Sequence, residues 1–295
     1  MKYTLFALLA LATYAQEMTG PTLGWSQSAD GRSLQAIYGV AGAARLGPAA
    51  GWPDELNDIL ISPSGQRAVA REGDTTVLVD LLTRRVSPLP GASRHDTKVW
   101  SPLGTALLLA NKGQVRVYVQ RGGTFEVLEE TSLTAESYAV SDDGSSILAI
   151  AGDELLLQNA QGARVLGRKS AGFTFLAGTN TPAFADGAEL VIGSNRFALP
   201  VDSPWLESPA AGKILAIDRS AGRVVWFDDQ GTQLAEASCN CTVERVERVA
   251  RLGATGTLRL MTSDGGPAWL AETSNVSHRL FFVPNAIASS NEVEQ

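Results

Sequence analysis

Residues 139–157, AVSDDGSSILAIAGDELLL, decide how the chain is read, because residues 60–79, LISPSGQRAVAREGDTTVLV, repeat their plan. In both, an apolar pair runs into a Ser-headed turn that ends in Gly, and two short apolar runs follow. Gly and Asn accept a positive φ at least cost, which a tight turn between antiparallel strands demands. Further copies lie on either side. SPLG ends at Gly104, and weaker versions end at Gly31 (SADG), Asn180 (GTN), Gly212 (SPAAG) and Gly256 (GATG), giving seven marks with SPSG (Gly65) and SDDG (Gly144).

A second regularity checks the first. Apolar runs begin at Val77, Val115, Leu155, Leu190, Val224 and Ala268, each 10 to 12 residues past its turn. A strand fits between turn and run, as in ALLLAN (106–111), SILAIAG (146–152), KILAID (213–218) and TLRLM (257–261). A fourth closes each unit, as in TFEVLEE (124–130), ARVLG (163–167), RFALP (196–200), TQLAE (232–236) and HRLFFVP (278–284). Four short strands in about 40 residues make one propeller blade. The expected fold is therefore all-β, a single β-propeller over residues 16–285, with seven four-stranded blades. Six blades is the alternative. After Gly31 the stretch VAGAARLGPAAG is weak in strand formers, and the first unit could instead be an outer hairpin completing the last blade.

The chain opens MKYTLFALLALATYAQ, with Lys2, an apolar run from Leu5 to Ala12, and small residues at 13 and 15. That is the pattern of a secretory signal over residues 1–15, too short to span a bilayer. It predicts a mature chain starting at Gln16, secreted or periplasmic, with no transmembrane segment. Residues 286–295 read as a flexible polar tail. Removing residues 1–15 leaves 23 basic against 31 acidic residues and moves the formal charge from -7 to -8. Basic residues occur singly or in pairs, without the positive face that phosphate contacts require, so nucleic acid is not an expected partner.

In its turns the chain resembles the secreted bacterial propellers with WD40-like or TolB-like repeats, in which a Ser-Pro-Asp-Gly-type turn joins the first two strands of each blade. SPSG and SPLG match at Ser, Pro and Gly, and SDDG at Ser, Asp and Gly. The Gly-His and Trp-Asp signatures of WD40 repeats are missing. The resemblance implies a fold and a compartment, and no activity.

Chemistry-bearing motifs are few. Only two histidines occur, His95 and His278, and His278 reads as a solvated residue at a strand end. The acidic turns SDDG, GDE, FDDQG and TSDGG lack the D-x-D-x-D-G spacing of a calcium loop, and no metal or other cofactor is expected. Cys239 and Cys241, two residues apart, could form a strained local disulfide, remain as thiols, or bond another chain. Trp100, Trp226 and Trp269 sit inside strands and should pack between blades. Trp52 and Trp205 sit in polar stretches read as loops.

In such a ring the SPxG turns share one end, and the loops entering each inner strand share the other. Those loops are longer and carry charge and Trp: WPDELND (52–58), SRHDTK (93–98), LTAES (133–137), DSPWLE (202–207) and TVERVE (242–247). Binding is therefore expected around Trp52, Asp54, His95, Asp96, Trp205 and Glu207. The function expected is non-enzymatic: a binding or scaffolding propeller for a protein or carbohydrate partner. The alternative is a lactonase-like, metal-dependent hydrolase or lyase in the central channel, using Asp54, Asp58, Asp96, Glu136, Asp202 and Glu207.

Overall fold

In the computed structural model the Ser-headed turns SPSG, SPLG, SDDG and SPAAG each link the first strand of a sheet to its second. The structure describes residues 21–27, 34–40, 42–50, 56–92, 97–170, 172–202, 204–218, 223–238, 248–252, 258–262, 268–272 and 278–283. The expected signal at 1–15, the tail at 286–295, and Cys239 and Cys241 lie outside them. Every regular element among the described residues is a β-strand.

Blade 1 holds β1 (Thr22–Gln27), β2 (Leu34–Tyr38) and β3 (Arg45–Ala50); blade 2 holds β4 (Leu56–Ile61), β5 (Arg67–Glu72), β6 (Thr75–Asp80) and β7 (Val86–Pro88). Blade 3 holds β8 (Thr97–Trp100), β9 (Ala106–Asn111), β10 (Gln114–Arg121) and β11 (Thr124–Ser132); blade 4 holds β12 (Ser137–Val140), β13 (Ser146–Ala151), β14 (Glu154–Asn159) and β15 (Gly162–Arg168). Blade 5 holds β16 (Phe173–Phe175), β17 (Pro182–Asp186), β18 (Glu189–Ile192) and β19 (Asn195–Ala198). Blade 6 holds β20 (Pro204–Glu207), β21 (Lys213–Asp218), β22 (Arg223–Asp228) and β23 (Gln233–Ser238); blade 7 holds β24 (Arg248–Leu252), β25 (Leu258–Thr262), β26 (Ala268–Glu272) and β27 (Leu280–Val283). Six blades are four-stranded antiparallel sheets in simple chain order, and the first is a sheet of three described strands.

That first unit is not an outer hairpin of the last blade. Its inner strand β1 lies against both β24 and β4, so it occupies its own place in the ring. Among the described residues, seven apolar clusters fill seven seams between neighbouring blades. The closing one joins Ile37, Ala44 and Leu46 of blade 1 to Leu270 and Val283 of blade 7.

Strand geometry explains why whole strands are apolar. Successive side chains point to opposite faces of a strand, and here both faces are seams. In β9, Ala106, Leu108 and Ala110 pack toward blade 4, while Leu107 and Leu109 pack toward blade 2. β5 does the same, sending Ala68 and Ala70 to blade 1 and Val69 to blade 3. Alternation therefore sorts residues between two cores, where a one-sided sheet would sort them between core and water.

The turns repeat to atomic detail. Gly65, Gly104 and Gly144 sit at φ of 68°, 73° and 75° and donate their N–H to the carbonyls of Ser62, Ser101 and Ser141. The amides of those serines donate in turn to the carbonyls of Arg67, Ala106 and Ser146. Ser101 Oγ accepts the Ala106 amide at 2.9 Å, and Ser141 Oγ accepts the Ser146 amide at 3.0 Å. These serines are fully buried, so the hydroxyl supplies an acceptor inside the turn where water has no access.

Candidate functional site

In the SDDG turn, at the SPxG end, the acidic side chains are engaged by the ring itself. Asp142, the second residue of SDDG, reaches across both flanking seams. Its Oδ1 accepts the Leu103 amide of the blade 3 turn at 2.7 Å, and its Oδ2 accepts the Gly178 amide of the blade 5 turn at 2.7 Å. Its carbonyl accepts the Thr105 hydroxyl at 2.7 Å. Asp143 is held more locally. Burial pushes its carboxyl up, but hydrogen bonds from the Ser145 amide and from Asn180, Ser141 and Ser145 together outweigh that, leaving it below the ordinary carboxylate value. The Asp residues of this turn thus act in turn and ring structure.

Binding was expected at the opposite end. Trp52, Asp54, His95 and Asp96 lie outside the described residues. Trp205 and Glu207 are described, and both belong to the inner strand β20, which corrects their expected place in a loop. Pro204 begins that strand, where a missing N–H is tolerated. Trp205 is half-buried, stands opposite Ile217 in register and packs on the core between blades 6 and 7. Glu207 is 8% exposed and stands opposite Leu215 in register. Neither side chain projects from a solvated loop.

Two other acids expected at this end are paired with cations, one across a seam and one within its own blade. Asp58 has a φ of 54° within the irregular stretch of β4 and pairs with Lys98 of β8, whose side chain is only 6% exposed. Glu136 pairs with Lys169. Asp202 is exposed. No group of three His, Cys, Asp or Glu side chains that could hold a metal ion occurs among the described residues.

A cleft of about 350 Å³ opens at this end on the seam between blades 2 and 3. Gly91, in the loop entering β8, forms one wall. Asn111, Lys112 and Gln114 of the β9–β10 hairpin, with Val115, Arg116 and Glu130, form the other. Arg116 ties the walls together, donating to the Gly91 carbonyl and to Glu130 Oε1, the latter at 2.8 Å. Tyr118, beneath it, donates its hydroxyl to the Pro90 carbonyl at 3.0 Å. Lys112 stands exposed at the turn, with a φ of 48°. Sequence reasoning missed this cleft because it weighed only the loops that enter inner strands. The hairpins joining second to third strands reach the same end, and NKGQVR (111–116), a turn rich in cations and amides, was the available signal.

No family model matches the chain, and no curated protein is similar to it in sequence. Solved structures are similar in fold. One is titled "Crystal structure of Myceliophteria_thermophila Cps50 (Swd1) beta-propeller domain"; it has a TM-score of 0.53 at 16% identity, over 77% of this chain and 85% of that one. The chain is a β-propeller. Its fold is also similar to Kluyvelomyces marxianus Hsv2 (TM-score 0.52, 10% identity, 74% of this chain and 72% of that one). A chain of a structure titled "Crystal Structure of Mitotic Checkpoint Complex" gives a TM-score of 0.51 at 12% identity, over 97% of this propeller and 98% of that chain. At these identities the likeness concerns the fold. No helix among the described residues is long and apolar enough to cross a membrane.

Proposed function

We propose that this propeller is a non-enzymatic binding scaffold that holds a protein partner at the end of the ring where its inner strands begin. The supporting observation is the contrast between the ends. At the SPxG end the Asp142 carboxylate holds three blades together, whereas the other end offers a cleft edged by the exposed ammonium of Lys112 and by Gln114. A rigid ring presenting loops and hairpins at one end is the usual setting for recognition. That a similarly folded chain comes from a structure titled as a complex also supports a partner-holding role.

The test is capture of a defined partner by purified wild-type protein and two single variants. Lys112→Glu reverses a charge at the cleft mouth and should weaken capture about tenfold or more. Asp143→Asn, at the opposite end, should leave capture unchanged. If the Asp143 variant alone loses the partner, the binding end has been assigned the wrong way round. Trp205→Ala is unsuitable for this purpose, since the indole packs into the core between blades 6 and 7.

A further inference from the structure

We propose that His278 makes the seam between blades 6 and 7 an acid-sensitive joint: protonating its imidazole loosens the last blade from the ring. The sequence placed this histidine in solvent at a strand end; the structure keeps it at that strand end but half-buried. His278 leads into β27 of blade 7, and its ring packs against that of Trp226 in β22 of blade 6, with centroids 5.7 Å apart and planes at 69°. Trp226 is 1% exposed. The contact therefore crosses a seam and touches its core.

His278 Nε2 is buried and has no hydrogen-bond partner. A neutral imidazole tolerates this by leaving Nε2 as the unprotonated nitrogen, an acceptor without a donor. An imidazolium does not, because both of its nitrogens carry protons that need acceptors. The other unsatisfied nitrogens of this seam, Trp226 Nε1 and Trp269 Nε1, are themselves donors and offer no acceptor. Protonation would place on Nε2, which is out of contact with solvent, an N–H with no acceptor, on a half-buried ring beside an indole.

The charged groups around His278 do not reverse that cost. Lys213 at the head of β21 opposes the imidazolium, and Glu272 at the end of β26 favours it. Asp228 at the end of β22 stands opposite Lys213 and accepts the Gln230 and Thr232 amides. Arg279, the next residue along the chain, is exposed. Burial is the largest influence and Lys213 adds to it, so the imidazole is held below its ordinary value despite Glu272. An unfolded histidine takes its proton near pH 6.5. A group with a depressed folded value contributes stability above that pH, and loses it as pH falls toward the folded value, because the unfolded chain binds the proton first.

Urea unfolding of the full chain at pH 7.5 and 5.0 tests this, comparing wild type with His278→Gln and His278→Phe. The wild-type unfolding constant should rise about fivefold more on acidification than that of either variant. Amide exchange in β22 and β26 should accelerate at pH 5.0, after correction for intrinsic rates, in wild type only. Equal pH dependence in all three proteins overturns the proposal. So does a wild type that gains stability in acid relative to the variants, which would mean that the Trp226 ring face holds the cation. If neither variant folds, NMR titration of the wild-type imidazole decides: a midpoint at or above the ordinary histidine value overturns the proposal, and one below it supports the proposal.

Discussion

Replacing Asp142 by Ala should destabilise the propeller more than any other single side-chain truncation in the SPxG turns. The carboxylate takes the Leu103 and Gly178 amides at 2.7 Å each, from blades on either side of its own. A hydrogen bond to a charged group contributes about 1.5–3 kcal/mol. Asp142 is half-buried, so water partly replaces what is lost, and about 1–1.5 kcal/mol per bond is the reasonable share. The expected loss is about 2–3 kcal/mol. For a chain of this size, with about 2–4 °C per kcal/mol, that lowers the melting temperature by about 5–10 °C. Asp142→Asn should lose about half as much, since its amide oxygen still accepts one N–H while its NH2 faces the other.

Urea unfolding gives the equilibrium change, and amide exchange gives its location. Leu103 and Gly178 should exchange faster in Asp142→Ala, even though they lie 39 and 36 residues away along the chain. The Thr105 hydroxyl bonds the Asp142 carbonyl, which survives the substitution, so that anchor should persist. A loss below about 0.5 kcal/mol, within the range of ordinary surface changes, would refute the view that this carboxylate joins three blades. Unchanged exchange at both amides would refute it equally.

Gly144→Ala should cost about 3 kcal/mol or more in urea unfolding, because a Cβ there would meet Val119 Cγ1 at 2.6 Å and Leu128 Cδ2 at 2.9 Å on top of a φ of 75°. Gly212→Ala has a φ of 68° but its nearest neighbour is Asp229 at 3.6 Å, so only the backbone penalty of about 1–2 kcal/mol should appear. Asp58→Asn leaves the Lys98 amine, with its side chain 6% exposed, without its carboxylate and should cost about 1–2 kcal/mol, discounted for an Asp58 that is itself more than half exposed. Adding Lys98→Met should recover at least half of that loss, and strict additivity in the double-mutant cycle would show that the pair does not interact.

The turns and middle strands were legible because their physical requirements are severe. A φ near 70° points to Gly at 65, 104 and 144, and a strand buried on both faces cannot afford polar residues, which makes ALLLAN and KILAID conspicuous. The first blade was harder to read. Ala44 and Leu46 come from a stretch so rich in Ala and Gly that it resembles a loop, yet they pack on Leu270 and Val283 to close the ring. Ring closure is a long-range contact between the two ends of the chain, and no local pattern encodes it. Inner strands were misread for a related reason. β20 is four residues long, starts with Pro204 and ends with Glu207, so DSPWLE lacks the length and apolar run by which a strand declares itself. His278 was placed in solvent because its partial burial depends on Trp226, more than fifty residues earlier in the chain and in a different blade.

The two ends of the ring differ in what a substitution there must disturb, and this difference bears on where recognition can reside. At the SPxG end, changing Asp142 touches three blades, and adding one methyl at Gly144 strikes side chains of blade 3. At the other end, the exposed Lys112 caps a hairpin whose strands are already fixed by the full β9–β10 register. Residues that hold no blade in place are free to be selected for what they contact outside the molecule, while residues committed to ring closure are not. Arg116 marks the boundary between these roles: its bonds to Gly91 and Glu130 brace the cleft from within, so the walls stay apart at a set distance while the side chains on the rim remain open to a partner.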